Sequence, residues 1–317
     1  MFSTNSSFLL TATLYILFFY KFYQYYEIEA HQLSCYNLAM VIDFHTHIVP
    51  SAMKKDRAKY IGTDPCFSAL YSSAKARLAT AEDVIASMDK DGIDMSVVLN
   101  IAWTSHDLCI ETNDYIMEAV SHYPRRLVGF GTVVFQSIDA ALCEAERCAK
   151  GGMRGIGEIR PDREFLDSQE LIEPFIDFLI KHKLILITHA SEPVGHQYPG
   201  KGDITPDKLY PLFTKFPNLT LVCAHWGGGL PFYALMPEVK KAMNNVFFDT
   251  AASRFLYSPQ IYNQVIQIIG VDNILFGSDY PLMPPGRLLR EIRLLNLPKE
   301  VEQAILSGNA KRLLGIA

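Results

Sequence analysis

The chain has 317 residues, of which 49% are apolar, 20% charged and 12% aromatic, a composition typical of globular proteins. Its net charge of −5 disfavours nucleic acid as a partner. The six cysteines include no Cys-x-x-Cys pair, which argues against a zinc ribbon or a disulfide framework and favours a reducing, cytoplasmic compartment.

The first 39 residues differ from the rest of the chain. Residues 8–20 form an uncharged, mostly apolar run, and an aromatic-rich stretch follows at 22–26. The run is short for a membrane span, which needs about 20 residues, and no Lys or Arg precedes it as in most signal peptides. Three interpretations of residues 1–39 stay open: an extension or non-native start outside the catalytic fold, a membrane anchor or signal, or a packed helix. Membrane contact is expected only if the segment is a genuine anchor.

From residue 40 onward, apolar β-branched runs alternate with amphipathic segments, which is the pattern of βαβ units and a parallel sheet. Several runs are almost continuously apolar, as expected for strands that are covered on both sides. The predicted strands span residues 40–47, 93–102, 127–135, 153–160, 184–190, 219–225, 246–251 and 273–278.

Helix-like segments separate these strands. The first opens at Thr80, whose hydroxyl can cap the helix while Asp83 occupies the capping-box position, and it ends at Gly92. Further helices are predicted at residues 111–122, 138–150, 169–183, 206–216, 231–243, 259–269, 286–295 and 299–314. Eight strands with intervening helices predict a single-domain (β/α)₈ barrel of the TIM type over residues 40–317. An open doubly wound sheet is the alternative, but the Gly-rich phosphate turn that it would more often carry after its first strand is not present.

Polar side chains stand at the ends of five predicted strands, and in a barrel these ends meet at one mouth. They are His45 and His47 on the first strand, Glu158 on the fourth, His189 on the fifth, His225 on the sixth and Asp279 on the eighth. Because residues i and i+2 of a strand point to the same side, His45 and His47 can both face the barrel axis and hold one ion. Imidazole and carboxylate ligands suit zinc, manganese or iron, and zinc is the first choice.

Several motifs resemble the amidohydrolase superfamily, and within it the amidohydrolase-related branch that includes the aminocarboxymuconate-semialdehyde decarboxylase-like proteins. They are IDFHTHIVP at 42–50, THA at 188–190, AHWGGG at 224–229, GSDYP at 277–281 and the tail ILSGNAKRLL at 305–314. The resemblance implies one catalytic metal held by His45, His47, His189 and Asp279. It also implies that His225 is an acid/base group or a ligand to a second metal.

Glu158 has three open roles. Binuclear relatives place a bridging residue on this strand, so Glu158, His189 and His225 could hold a second metal. Glu158 could instead contact the substrate, or form a structural ion pair with Arg160, which points the same way two residues further on.

Substrate contacts are expected in the loops at the mouth. The loop after the first strand, at about 48–79, is long and rich in Lys and Arg, which suits either a carboxylate-bearing substrate or a solvated surface. The predicted substrate-binding residues are Arg160, Trp226 and Arg254. The expected partner is a small molecule, and a homodimer is compatible with the sequence.

Two catalytic hypotheses follow. The first hypothesis is hydrolysis of an amide, ester or lactone by metal-activated water. We favour it because Glu158 permits a binuclear site. His225 could then take the proton of the water, and Asp279 could orient the water or carry a proton to the leaving group. The alternative is non-oxidative decarboxylation of an unsaturated or aromatic carboxylic acid, which the first-strand motif, the His-Trp-Gly-Gly-Gly run and the basic loop favour. A non-catalytic barrel is a third hypothesis, and the intact ligand set argues against it.

Overall fold

The structure is a computed structural model that describes residues 40–161, 165–166 and 168–316. The three interpretations of residues 1–39 lie outside this part of the chain. Eight parallel strands are arranged in chain order around one sheet. They are β1 (Ile42–His47), β2 (Met95–Leu99), β3 (Leu127–Gly131), β4 (Gly155–Ile159), β5 (Ile185–Thr188), β6 (Leu221–Cys223), β7 (Val246–Asp249) and β8 (Ile274–Leu275).

Backbone hydrogen bonds between β1 and the region of β8 close the sheet. The N–H of Phe44 donates to Phe276 O at 2.7 Å, and the N–H of Asp279 donates to His45 O at 2.9 Å. Thr46 and Tyr280 form a further parallel bridge. The predicted (β/α)₈ barrel is therefore confirmed, and the open doubly wound sheet is wrong.

Helices cover the outside of the barrel. They are Ser51–Lys55, Arg57–Ile61, Pro65–Tyr71, Ala81–Asp91, His106–His122, Ile138–Lys150, Gln169–His182, Pro206–Lys215, Pro237–Ala242, Ser253–Leu256, Gln260–Ile269, Pro285–Leu294, Lys299–Gln303 and Asn309–Leu314, with a 3₁₀ helix at Leu230–Leu235 and a π turn at Ala304–Gly308. The capping box of Thr80 and Asp83 is present as predicted. Among the residues described, no helix combines the length and the apolar composition that crossing a membrane requires.

Three predicted segments differ from the structure. The helix predicted at 111–122 begins earlier, at His106, because the Ser105 hydroxyl accepts the N–H of Leu108 and caps it. The helix predicted at 231–243 is interrupted before Pro237, which has no N–H to continue the hydrogen-bond ladder. The long loop predicted at 48–79 contains three short helices.

The pairing of β1 with β2 is irregular close to the mouth of the barrel. The register of β1 against β2 shifts between Asp43 and Thr46. Such an irregularity interrupts the alternation of side chains and is common beside active sites. Phe44 packs in the inner apolar cluster against Phe130, and His45 and His47 lie beyond it toward the mouth.

A buried acid links β1 to the segment after β8. Asp43 Oδ1 accepts the N–H of Ser278 at 2.8 Å and that of His45 at 3.2 Å, and its Oδ2 accepts the Ser278 hydroxyl at 2.5 Å. Burial raises the pKa of the Asp43 carboxyl to about 7. The contact fixes the backbone on either side of the two strand ends that carry His45 and Asp279.

Replacing Asp43 by alanine should lower the free energy of unfolding by about 3 kcal/mol, because it leaves the buried N–H groups of Ser278 and His45 without an acceptor. Urea unfolding of the purified protein measures the change. The Asp43→Asn variant keeps one acceptor oxygen, so its free energy of unfolding should fall by clearly less. Equal stability of Asp43→Ala and the wild type would contradict this account of the contact.

Candidate metal centre

His45 and His47 face each other at the end of β1. Their Nε2 atoms lie 3.0 Å apart, and Oδ1 of Asp279 lies 3.5 Å from Nε2 of His47 and 3.9 Å from Nε2 of His45. All three residues are buried, and their ligand atoms lie within 4.8 Å of one another. The structure thus brings together two imidazoles from β1 and one carboxylate from beyond β8, a group that could hold one cation.

Glu158 forms the centre of a second group, which shares His45. The ligand atoms of His45, Glu158 and His225 also lie within 4.8 Å of one another. Oε1 of Glu158 is 2.9 Å from Nδ1 of His189 and 3.2 Å from Nε2 of His225, while its Oε2 is 3.9 Å from Nε2 of His47. No ion pair joins Glu158 to Arg160 in the described structure, so the structural pairing of these two residues is wrong.

His189 lies beside the cluster, but both of its ring nitrogens are already engaged. Nδ1 contacts Glu158, and Nε2 is 2.9 Å from Oγ of Ser191. The Glu158 carboxylate can only accept, which favours the imidazole proton on Nδ1 and leaves Nε2 to accept the hydroxyl proton of Ser191. Burial, assisted by the charge of Arg160, lowers the pKa of His189 to about 3, so the ring is neutral. In this arrangement His189 belongs to neither ligand group, and its role as a ligand stays a prediction.

Asp249, at the end of β7, was not identified from the sequence. Its fully buried carboxylate places Oδ2 2.8 Å from Nδ1 of His45, and its Oδ1 accepts the N–H groups of His225 and Ala251. A carboxylate in this position holds the proton on Nδ1 and leaves the lone pair on Nε2, which faces His47. An acid at a predicted strand end was the one signal in the sequence that could have indicated it.

The cluster has an electrostatic field that favours cations. Burial alone would lower the pKa of His45, but Asp249, assisted by Glu158 and Asp279, raises it to about 10. Burial is likewise outweighed at His225, where Glu158 raises the pKa above its usual value. The carboxyls respond in the opposite sense, since the histidines hold the pKa values of Glu158 and Asp279 below their usual range against the effect of burial. A field that favours protons on histidine also favours a metal cation.

Left-handed backbone positions direct two of these side chains. His225 has φ 56° and Asp279 has φ 65°, which non-glycine residues seldom adopt. Asp249 accepts the N–H of His225, and His45 O accepts that of Asp279. Gly228 follows at φ 61°, where a Cβ would come within 2.3 Å of the Ser191 carbonyl oxygen. The turn after β6 therefore needs glycine to approach the end of β5.

The three predicted substrate contacts are in different surroundings. Arg160 is partly buried at the mouth, where Nη1 donates to Gly200 O at 2.6 Å and Nη2 lies 3.2 Å from Nδ1 of His189. Within the described ranges no carboxylate forms an ion pair with Arg160. Arg254 is partly exposed and pairs with Glu291, with Nε 3.4 Å from Oε2.

Trp226, the third predicted substrate contact, is packed inside the fold, and its contact with substrate stays a prediction. The side chain is fully buried, the indole N–H donates to Oγ of Ser253 at 2.7 Å, and the ring packs edge-on against Tyr262. Trp103 is also buried, stacked on Phe67 of the segment after β1. Both tryptophans therefore pack the loops rather than line an open pocket.

Comparison with known proteins agrees with this fold and with the motifs. Residues 42–316 match the amidohydrolase family (Amidohydro_2), and the chain belongs to that family. A 2-amino-3-carboxymuconate-6-semialdehyde decarboxylase of Dictyostelium discoideum is 23% identical over 340 aligned residues, which cover 88% of this chain and 92% of that protein.

Two solved structures have a similar fold. The 5-carboxyvanillate decarboxylase of Sphingomonas paucimobilis superimposes with a TM-score of 0.73 at 19% identity, covering 88% of this chain and 100% of that one. The 5-carboxyvanillate decarboxylase of Novosphingobium aromaticivorans, complexed with manganese and 4-hydroxy-3-methoxy-5-nitrobenzoic acid, has a TM-score of 0.71 at 19% identity, covering 87% and 96%.

Proposed function

We propose that this protein is a metal-dependent decarboxylase of an aromatic or unsaturated carboxylic acid. The observation that carries the proposal is the one-ion site in which His45 and His47 face each other 3.0 Å apart beside Asp279. The similarity to a decarboxylase over 88% of the chain supports it. This choice reverses the order of the two hypotheses drawn from the sequence, in which hydrolysis came first.

The donor set fits a divalent metal. The Nε2 atoms of His45 and His47 converge with a carboxylate oxygen of Asp279. Asp249 orients the His45 imidazole through a hydrogen bond to its Nδ1. Zinc stays our prediction from the ligand types, with manganese and iron as alternatives. Manganese is the first ion to test, since the Novosphingobium enzyme is complexed with it. When bound, the metal would polarise a substrate oxygen and stabilise negative charge that develops in the reaction.

The residues of the chain supply binding and proton transfer. In decarboxylation the bond to the carboxyl carbon breaks, its electron pair stays on the remaining carbon, and a proton takes the place of the departing carbon dioxide. His225, whose Nε2 is hydrogen-bonded to Glu158, is our candidate for the acid that delivers this proton. Arg160 has no carboxylate partner in the described structure and is our candidate for binding an anionic group of the substrate.

The test is release of carbon dioxide by the manganese- or zinc-loaded protein from a panel of hydroxybenzoic and unsaturated acids, with metal content measured on the same sample. We expect carbon dioxide in equal amount to the acid consumed, and one metal per chain. Two metals per chain without carbon dioxide from any acid would overturn the proposal.

Hydrolysis is the second candidate, and one observation favours it. Glu158 and His225 lie beside the first group and could supply ligands to a second ion, while the one free nitrogen of His45 can serve only one of the two ions. Lactones, esters and amides assayed on the same preparations separate the two functions, because hydrolysis predicts two metals and no carbon dioxide.

Replacing Asp249 by asparagine should weaken metal binding about 10- to 100-fold. The asparagine Oδ1 can still accept the N–H groups of His225 and Ala251, which turns its NH₂ toward Nδ1 of His45. His45 must then carry its proton on Nε2, where the metal would bind. Competition with a fluorescent chelator measures the affinity, and Asp177→Asn on the exposed face of a helix is the control. Unchanged affinity in Asp249→Asn would show that this carboxylate does not orient a ligand.

Other expectations from the sequence stay predictions. These are the homodimer, the cytoplasmic location, and the division of the chain into residues 1–39 and 40–317.

A further inference from the structure

A short helix lies across the mouth of the barrel. The helix Pro65–Tyr71 contacts the loop after β2 through Phe67, whose ring stacks on Trp103 with the centroids 5.5 Å apart. It contacts the loop after β5 through Leu70, because a Cβ on Gly200 would lie 2.6 Å from Cδ2 of that leucine. Strands β2 and β5 are separated by two strands on one side of the closed sheet and by four on the other. A helix that contacts both loops therefore lies over the opening and not outside the wall of the barrel.

A buried acid anchors this helix at its beginning. Oδ1 of Asp64 accepts the N–H of Phe67 at 2.9 Å and so caps the helix. Its Oδ2 accepts both the N–H and the hydroxyl of Thr104, at 2.8 and 2.7 Å, which joins the helix to the loop after β2. At the other end of the helix, the ring of Tyr71 packs against that of Phe67 at 4.8 Å. These contacts hold the side chain of Tyr71 in a defined position at the mouth.

The hydroxyl of Tyr71 lies near the charged groups of the candidate metal centre. Burial raises its pKa, the negative charges of Asp279 and then Glu158 raise it further, and the positive charge of Arg160 acts in the opposite direction. Such effects require proximity, because electrostatic interactions weaken with distance. Among the residues that the structure describes, this hydroxyl has no hydrogen-bond partner, and it is not one of the unpaired polar atoms that are closed to solvent. The phenol is therefore protonated at neutral pH and open to a ligand.

Arg160 lies on the side of the mouth that the helix contacts. Its Nη1 donates to Gly200 O at 2.6 Å, and a Cβ on Gly200 would be 3.4 Å from its Nη2. The glycine that Leu70 contacts thus also holds the arginine, and Leu70 directly precedes Tyr71 in the helix. A protonated phenol and a guanidinium both donate hydrogen bonds, which is the chemistry that binds an oxyanion.

We propose that Tyr71 is a specificity-determining residue whose hydroxyl donates a hydrogen bond to the anionic group of the substrate that Arg160 binds. The inference rests on the proposed function, in which Arg160 is the candidate for binding this group. A carboxylate has two oxygens with several lone pairs and can accept from the phenol and the guanidinium together. A neutral carboxamide of the same shape offers one oxygen and no charge, so Tyr71 should favour an acid over its amide.

The test measures binding of matched ligands to the full-length, manganese-loaded protein by calorimetry. The pairs are salicylate with salicylamide and 2,6-dihydroxybenzoate with 2,6-dihydroxybenzamide. Since Tyr71→Phe loses a hydrogen bond to a charged group, we expect its Kd for each acid to rise about 10- to 100-fold, and its Kd for each amide to rise no more than a few-fold. Where an acid is decarboxylated, KM should rise by the same factor while kcat stays within a few-fold, as for an interaction made equally before and during the reaction.

Tyr60→Phe is the matched control. The ring of Tyr60 also packs against Phe67, at 5.9 Å, but it belongs to the preceding helix Arg57–Ile61 and lies beside Lys59. This variant should bind acids and amides as the wild type does.

Equal weakening of acids and amides in Tyr71→Phe would overturn the proposal, as would unchanged affinity for the acids. A wild type that binds neither acid better than its amide would also contradict it. So would loss of metal from Tyr71→Phe, measured on the same samples, because the residue would then act on the centre itself. Failure of the decarboxylase proposal is seen separately, as absence of carbon dioxide while Tyr71→Phe still loses its preference for acids.

Discussion

Replacing His47 by alanine is expected to remove the bound metal and to lower the rate of decarboxylation about 1,000-fold or more. A bound metal contributes several kcal/mol to the stabilisation of a transition state, and each 1.4 kcal/mol corresponds to a factor of ten. Nε2 of His47 lies 3.0 Å from Nε2 of His45 and 3.5 Å from Oδ1 of Asp279, so the alanine variant loses one of three converging ligands. Elemental analysis of the purified variant and its release of carbon dioxide measure the two effects.

His47 is the ligand whose removal should disturb the fold least. Its Nδ1 has no hydrogen-bond partner in the described structure, and its Nε2 contacts only residues of the cluster. Asp279→Asn is a second variant of nearly unchanged shape, and it should also lose metal. His122→Ala, on an exposed helix end, is the control and should keep both metal and activity. A His47→Ala protein that binds as much metal as the wild type would refute the assignment of the centre.

The strand ends that meet at the centre could be predicted because they depend on local periodicity and on closure of the barrel. His45 and His47 share one side of β1 through the two-residue repeat of a strand, and chain order brings Asp279 next to them. The register shift between Asp43 and Thr46 could not be predicted, since it depends on pairing with β2. The residue types in β1 alone do not indicate whether this register shift is present.

Asp249 and Trp226 show where residue type alone is insufficient. An acid at a strand end is compatible with a ligand, a solvated side chain or a partner of histidine, and only the contact with His45, distant in sequence, distinguishes these roles. An indole next to His225 in the sequence is equally compatible with a pocket wall or with packing. The left-handed turn at His225 and Trp226 sends the ring toward Tyr262 instead of the mouth.

The expected ion pair between Glu158 and Arg160 shows that sequence spacing alone does not determine the partner of a charged side chain. The two-residue spacing correctly suggested that Glu158 and Arg160 lie near each other, but spacing along one strand does not say which partner is closer in space. His189 from β5 and His225 from the turn after β6 both contact Oε1 of Glu158, while Arg160 turns to the loop carbonyl of Gly200. His189 comes from β5, the strand next to β4, and His225 comes from the turn after β6, one strand further along the barrel.

Replacing His225 by asparagine is expected to lower kcat about 100- to 10,000-fold while the metal content stays unchanged, as for the loss of a general acid. The His225 ring is held at both ends, with Nε2 3.2 Å from Oε1 of Glu158 and Nδ1 3.3 Å from the carbonyl oxygen of Ala251. Asparagine is among the non-glycine residues that best tolerate the left-handed φ of 56° at this position, so the turn should persist. What the variant lacks is a group that can deliver a proton to the carbon that loses carbon dioxide.

The metal content of His225→Asn distinguishes the two catalytic hypotheses. If His225 is the acid, the variant keeps its metal and substrate affinity and loses turnover. If His225 instead holds a second ion, as hydrolysis with a binuclear site requires, the metal content falls by half together with the rate. Lys183→Asn, at another left-handed position of φ 54° on the exposed end of a helix, tests whether such a substitution alone affects either quantity. A His225→Asn enzyme with wild-type turnover would exclude both roles, because the position that the ring occupies beside Glu158 would then serve neither proton transfer nor metal binding.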